Sequence, residues 1–182
     1  MLSWAGIARR IRVPAGFAFG VVYLWLARPT LRSISVGAII ATFGLLIRTL
    51  ASGHVRKNQE LTSSGPYAYT RNPLYLGSFV LAAGFGWAAQ NWLIAAAILL
   101  VFIVIYVPVI LEEEKFLRQN FPQFQDYWRQ VPRFIPRLTP ISRTPGAFSW
   151  DLYRKHREYQ AVLGSIAMLA ALVIKILCVS RR

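Results

Sequence analysis

Residues 72–111 read NPLYLGSFVLAAGFGWAAQNWLIAAAILLVFIVIYVPVIL, forty positions without one Asp, Glu, Lys or Arg. A helix crossing a bilayer needs about 20 apolar residues, so this stretch predicts two. The polar pair Gln90-Asn91 falls near its middle, which predicts a tight helical hairpin over about 73–89 and 92–112. Upstream lie two shorter runs: Val13 to Ala27, bounded by Arg12 and Arg28, and Ile34 to Ile47, extendable through Arg48 to about Ser52. Downstream, Tyr159 to Ile174 is uncharged, and Lys175 near its end has a stem long enough to carry its ammonium to the interface. Together these runs predict an all-α, polytopic membrane protein with about five transmembrane helices.

Composition agrees. The chain has 182 residues, 55% hydrophobic and 15% charged, with 21 Lys+Arg against 7 Asp+Glu and a net charge of +14. A soluble domain carries about a quarter charged residues. Disorder needs low hydrophobicity and is excluded. A nucleic-acid binder would be basic and rich in charge; this chain is basic and poor in charge, so no nucleic-acid partner is expected. The single cysteine, Cys178, excludes an intramolecular disulfide and a cysteine-based zinc site. His54 and His156 stand far apart in polar, basic stretches and read as interfacial or solvated; no metal site is predicted. Arg9, Arg10 and Arg12 ahead of an apolar run look like the start of a signal peptide, but Ala27-Arg28-Pro29 offers no small-x-small cleavage site. The run reads as a retained first span.

With the N-terminus in the cytoplasm, the segments 1–12, about 48–72 and about 112–158 hold 16 of the 21 basic residues, as the positive-inside rule requires. They also hold all 7 acidic residues, so an active site is expected at the cytoplasmic face, in a bacterial inner membrane if the source is prokaryotic. The organisation is one membrane domain, 1–182: two N-terminal spans in 1–53, a core in 54–136, and a basic linker with the last span in 137–182.

Two of these segments carry the polar chemistry. Ser63-Ser64-Gly65-Pro66 predicts a turn, which makes Ser63 and Ser64 turn residues. Asn72-Pro73 predicts a helix start. The N–H groups at that start could receive an anion, and Arg71 could add a two-point contact to a carboxylate or phosphate. Arg71 with Tyr67, Tyr69 and Tyr75 fits equally well a loop tied to lipid headgroups. Gly77 allows another backbone or a ligand to come close, and Gly84-Phe85-Gly86 reads as a helix-packing site. Glu112-Glu113-Glu114 end an apolar helix, where carboxylates oppose the helix dipole. They require a cation, a basic side chain or a positively charged ligand, or else they are a stop signal neutralised by nearby Arg and Lys. Phe121-Pro122 breaks that helix. Phe124, Tyr127, Trp128 and Val131 recur at helical spacing and predict a short amphipathic helix lying on the membrane. Pro132, Pro136, Pro140 and Pro145 predict extended chain beyond it. Nothing supports a Rossmann domain.

The pattern Leu61-x-x-x-Gly65-Pro66-Tyr67-x-Tyr69-x-Arg71-Asn72-Pro73-x-Tyr75-x-Gly77 is thus followed by an apolar hairpin. Then come Glu113-Glu114-x-x-Leu117, Phe121-Pro122, Tyr127 and Val131-Pro132-Arg133-Phe134-Ile135-Pro136. Over roughly residues 54–136 this resembles the isoprenylcysteine carboxyl methyltransferase and phospholipid methyltransferase superfamily of integral membrane enzymes. The resemblance implies a methyltransferase that binds S-adenosylmethionine without a Rossmann domain, at the cytoplasmic ends of the core helices. The matching cofactor residues are Tyr67, Arg71, Asn72, Pro73, Tyr75 and Gly77, with Glu113 and Glu114. The carboxylate of S-adenosylmethionine suits Arg71, and its ammonium, ribose and sulfonium suit the acids.

Carboxyl methyltransferases usually carry His where this chain has Asn72, and Asn occurs in phospholipid N-methyltransferases. Phe121-Pro122 replaces the more usual Phe-Gly, while Val131-Pro132-Arg133 favours the carboxyl branch. The leading expectation is methylation of the carboxylate of an isoprenylcysteine-like or other lipid acid, with Arg133 anchoring the acceptor. The alternative is N-methylation of a phospholipid amine, with Glu113 or Glu114 taking the proton. A third possibility, of another class, is a non-catalytic protein that binds anionic lipid through its basic face. Expected partners are a lipid or lipidated small-molecule substrate and the membrane lipids.

Overall fold

Gln90 and Asn91 make the hairpin turn. Gln90 adopts a left-handed conformation, φ 49°, and Asn91 caps the next helix by accepting from the Leu93 N–H at 2.9 Å. The Asn91 amide also donates to the Leu26 carbonyl, tying the turn to the first helix. The structure is a computed structural model that describes residues 16, 18–56, 60–141 and 146–179. Helix α1 covers residues 18–26. It is followed by α2 (Leu31–Ser52), a 3-10 turn (Gly65–Ala68) and α3 (Pro73–Ala89). Helix α4 runs over Trp92–Asn120, with a π-helical stretch at Phe102–Tyr106. Helices α5 (Phe124–Gln130), α6 (Trp150–Lys155) and α7 (Tyr159–Val179) complete the chain.

The protein is an all-α, multi-span membrane protein. Among the described residues three helices are long and apolar enough to cross a bilayer, Leu31–Ser52, Trp92–Asn120 and Tyr159–Cys178, and Pro73–Ala89 is a shorter apolar helix. Five full spans were expected. Most of the segment ahead of α1, with Arg9, Arg10 and Arg12, lies outside the described residues, as do Lys57, Arg143, Pro145, Arg181 and Arg182. The second hairpin helix is longer than the predicted membrane span: it carries Glu112–Glu114 inside one continuous helix to Asn120, the continuation expected there.

Lipid tails are as apolar as leucine, so membrane helices associate through close packing rather than hydrophobic burial. Helices α2 and α3 do this with small residues on facing stripes: Gly37, Ala41 and Gly44 against Gly77, Gly84 and Ala88. A Cβ added to Gly84 would lie 2.6 Å from the Gly37 carbonyl oxygen, so the backbones meet with no room for a side chain. The packing role expected for Gly84 holds. Gly77 serves the same seam, since a Cβ there would lie 2.8 Å from the Gly44 carbonyl oxygen.

At one end of the bundle, Tyr23, Ile34, Ile94 and Leu172 form a buried cluster. Lys175 donates there to the carbonyls of Leu24 and Ala27 at 2.5 and 2.6 Å, satisfying acceptors that the end of α1 leaves open. The opposite end holds the polar segments. An extended strap follows α5 and pairs with the turn before α3: the Arg71 N–H donates to the Pro132 carbonyl, Arg137 to Tyr69 and Ile141 to Ala68. This is the extended chain that the prolines predict.

One expectation is corrected here. The apolar face of α5 does not lie on the membrane. Phe124, Tyr127 and Val131 are buried against Leu61, Leu117, Phe121 and Ile141 of this chain, because the strap folds back and covers them. His54, expected to be interfacial or solvated, is half-buried: its ring meets Phe148 edge-on, and its nitrogens lie 2.7 and 3.0 Å from the carbonyl oxygens of Leu50 and Gly146.

Candidate active site

Asn72 ends the turn and Pro73 opens α3, with Pro supplying a φ suited to the first helical position. The Asn72 side chain makes no capping bond to the helix. It reaches sideways and donates to Glu114 Oε1 and to the Arg133 carbonyl, both at 3.2 Å. This leaves the first turn of α3 uncapped by its own N-terminal residue, which favours an anion there.

Glu114 is buried on α4 and is the hub of the site. Arg133 grips it with a fork, Nε to Oε1 at 3.1 Å and Nη2 to Oε2 at 2.9 Å. These hydrogen bonds hold the Arg133 guanidinium above its ordinary pKa. On the other side Arg71 Nη1 stands 3.5 Å from Glu114 Oε1. Glu114 therefore gathers three partners from the turn and the strap, which is how an acid tolerates the C-terminal half of a helix.

Arg71 is less well satisfied. Its side chain is only 8% exposed, and its guanidinium lies over the Trp128 ring at 5.4 Å. Among the described residues neither Nε nor Nη1 has a hydrogen-bond partner. Burial lowers the pKa of Arg71 from its ordinary value, and the charge of Glu114 opposes that. A buried guanidinium with idle donors is costly unless something supplies acceptors.

These donors line a cleft bounded by Tyr67, Asn72, Leu74, Tyr75, Glu113 and Glu114, with Leu117, Phe124 and Tyr127 behind them. The cavity measures about 130 Å³ and is lined also by Val55, Arg56 and residues 60–62. Tyr127 donates to the Tyr67 carbonyl at 2.8 Å, fixing one wall. Burial pushes the pKa of both phenols upward, so both stay protonated.

The structure thus brings Tyr67, Arg71, Asn72, Tyr75, Glu113 and Glu114 to one cleft. Pro73 is fully buried beneath it, and Gly77 packs on α2. Arg133 holds Glu114 and is not among the residues lining the cleft. Sequence reasoning missed Leu74 and Tyr127 as lining residues. It also missed Arg48, half-buried on α2 and bonded through Nε and Nη2 to Glu158 at 3.0 and 2.9 Å. The signal was available, because a charge inside an apolar run is expensive and marks a functional position.

Helices of this kind, meeting at one end around a paired acid and a basic side chain with idle donors, define a multi-span membrane protein with a charged cleft at one end. The chain belongs to the phospholipid methyltransferase family, whose profile matches residues 24–123. The chain is also 40% identical over 142 residues to the nickel-cobalt-cadmium resistance protein NccN of Alcaligenes xylosoxydans xylosoxydans, covering 78% of this chain and 60% of that one. It is 37% identical over 130 residues to the cobalt-zinc-cadmium resistance protein CzcN of Cupriavidus metallidurans, covering 71% and 58%. The chain therefore spans about three-fifths of the length of these curated relatives. No solved structure gives a significant match. Among the described residues no group of three or more His, Cys, Asp or Glu side chains is placed to hold a metal ion.

Proposed function

We propose that this protein transfers a methyl group from S-adenosylmethionine to the amine headgroup of a membrane-embedded lipid, at the cytoplasmic face. The observation that carries the reading is the buried Arg71 guanidinium, whose Nε and Nη1 have no hydrogen-bond partner among the described residues although Nη1 stands 3.5 Å from Glu114, beside the uncapped start of α3. These donors suit the cofactor's carboxylate. Glu113 and Glu114 line the same cleft and suit its ammonium and ribose. Tyr67, Asn72 and Tyr75 complete the walls, while Pro73 and Gly77 place the helix that carries them. S-adenosylmethionine supplies an activated methyl group, so the protein's main task is to align two partners and exclude water.

The family match and Asn72 favour an amine acceptor over the carboxylate first expected. So does Arg133. The side chain expected to anchor an acceptor carboxylate is instead committed to Glu114, which makes it a positioning residue. The distribution of basic residues supports the orientation.

The test is a titration of the purified, detergent-solubilised chain with S-adenosylmethionine and, separately, with NADPH as a control nucleotide cofactor. Saturable binding of the first alone is expected. No such binding would refute the reading and favour a lipid-binding protein without catalysis. Labelled methyl transfer into a lipid extract, resolved by headgroup, then identifies the acceptor.

A further inference from the structure

Adjoining the cofactor cleft lies a second chamber of about 370 Å³. Its lining is mostly polar and includes Arg48, Ser52, Ser78, His156 and Glu158. It shares Val55, Leu74 and Tyr75 with the cleft. On its far side it shares Ser78 and Tyr106 with an apolar pocket of about 220 Å³, walled by Phe19, Ala82, Ile98, Val101, Phe102 and Ile105. Three spaces of different chemistry thus adjoin in order: charged cleft, polar chamber, apolar pocket.

The chamber is more than the gap around a structural ion pair. Arg48 holds both oxygens of Glu158 and donates from Nη1 to Ser78 Oγ, so it satisfies Glu158 without needing the rest of the space. His156 faces the same space and donates from Nδ1 to the Ser52 carbonyl at 3.0 Å. A carbonyl only accepts, so in the neutral ring Nδ1 carries the proton and Nε2 is the basic nitrogen. Tyr75 and Tyr106 meet edge to face at 6.0 Å and wall the passage with π-systems, which suit a cationic headgroup.

We propose that this chamber is the acceptor site: the lipid's amine sits at His156 between Arg48–Glu158 and Tyr75, its tail lies in the apolar pocket beyond Ser78 and Tyr106, and His156 Nε2 takes the amine's proton. This rests on the methyltransferase reading above. In the step, an N–H bond of the acceptor ammonium breaks and its proton passes to Nε2. The freed nitrogen lone pair forms the new N–C bond as the S–C bond to the methyl group breaks, and that bond's electron pair stays on sulfur. Glu114 is a poor choice for the proton, because both its oxygens already accept from Arg133.

The test compares the parent chain with His156→Gln and Ser78→Val in detergent. Three quantities are measured: S-adenosylmethionine affinity, affinity for dihexanoyl phosphatidylethanolamine in the presence of S-adenosylhomocysteine, and the methyl-transfer rate. Both variants are expected to bind S-adenosylmethionine within about twofold of the parent. His156→Gln keeps a donor for the Ser52 carbonyl and should leave lipid affinity nearly unchanged while the rate falls about a hundredfold, as loss of a general base does. Ser78→Val obstructs the passage to the apolar pocket and should weaken lipid binding at least tenfold, on the order of 1.4 kcal/mol. Unchanged rate and lipid affinity in both variants would overturn the assignment, as would equal losses of cofactor and lipid binding in His156→Gln. If that variant does not fold, Ser78→Val decides alone. If the parent fails to bind S-adenosylmethionine, the methyltransferase reading has failed; the lipid-binding arm still reports on the chamber.

Discussion

Arg133→Ala separates two roles for one side chain. Arg133 grips Glu114 through contacts of 2.9 and 3.1 Å. A charge-assisted hydrogen bond contributes about 1.5–3 kcal/mol and an exposed ion pair about 0–1. Arg133 is 47% exposed, which places the loss between these limits, at about 1–2 kcal/mol. Glu114 stays buried and keeps Asn72 at 3.2 Å and Arg71 at 3.5 Å, so the fold survives with a lower melting temperature. Its released oxygens then draw Arg71 closer and occupy donors proposed for the cofactor. S-adenosylmethionine affinity should fall about tenfold, equivalent to about 1.4 kcal/mol, with the apparent KM for lipid unchanged. Isothermal titration in detergent measures the first and initial rates in mixed micelles the second. Unaltered cofactor affinity with a raised lipid KM would refute the reasoning and restore Arg133 as an acceptor anchor.

Arg71→Lys keeps the charge and loses the planar fork; S-adenosylmethionine affinity should drop at least tenfold by equilibrium dialysis, with expression and melting temperature near the parent's. Tyr127→Phe removes the 2.8 Å bond to the Tyr67 carbonyl and should destabilise the protein by about 1 kcal/mol, read by thermal melting in detergent. Gly84→Leu should abolish accumulation of folded protein, because even its Cβ would sit 2.6 Å from the Gly37 carbonyl oxygen. Gly86→Ala should be tolerated, since its Cβ meets only the flexible end of Ile98 at 3.3 Å.

The hairpin was legible because an uncharged stretch of forty residues has one physical solution in a membrane, and a polar pair marks its turn. The helix start at Asn72-Pro73 and the break at Phe121-Pro122 followed from proline's missing donor and fixed φ. Pairing between Glu114 and basic side chains was legible as a need, since acids there oppose the dipole. Which side chain meets that need was not, because Arg133 arrives from a strap 19 residues away whose path depends on burial of Phe124 and Tyr127. The same burial explains the misplacement of α5. Periodicity shows that a helix has an apolar face, and says nothing of whether lipid or protein covers it. The polar chamber was missed for a related reason: Arg48 and Glu158 are 110 residues apart, and His156 reads as interfacial or solvated until α6 and α7 bring it to the Ser52 carbonyl at the end of α2.

The ion pairs do more for topology than for stability. Replacing a buried pair by apolar groups is often neutral or stabilising, and in a bilayer even packing gains are shared with lipid. What a pair supplies is a cost for every wrong arrangement. Glu158 without Arg48, or Glu114 without Arg71 and Arg133, would be a buried charge alone. The α2–α3 seam is built from small residues and tolerates sliding poorly, but it does not by itself say where α7 or the strap must go. Arg48–Glu158 fixes the start of α7 against α2, and Glu114 fixes the strap and the turn against α4. Both fixtures fall at the same end of the bundle and flank Tyr75, one in each adjoining space. The charges that set the topology therefore also charge the walls of the two cavities, which is why scarce acids, rather than the many arginines, mark the functional end of this chain.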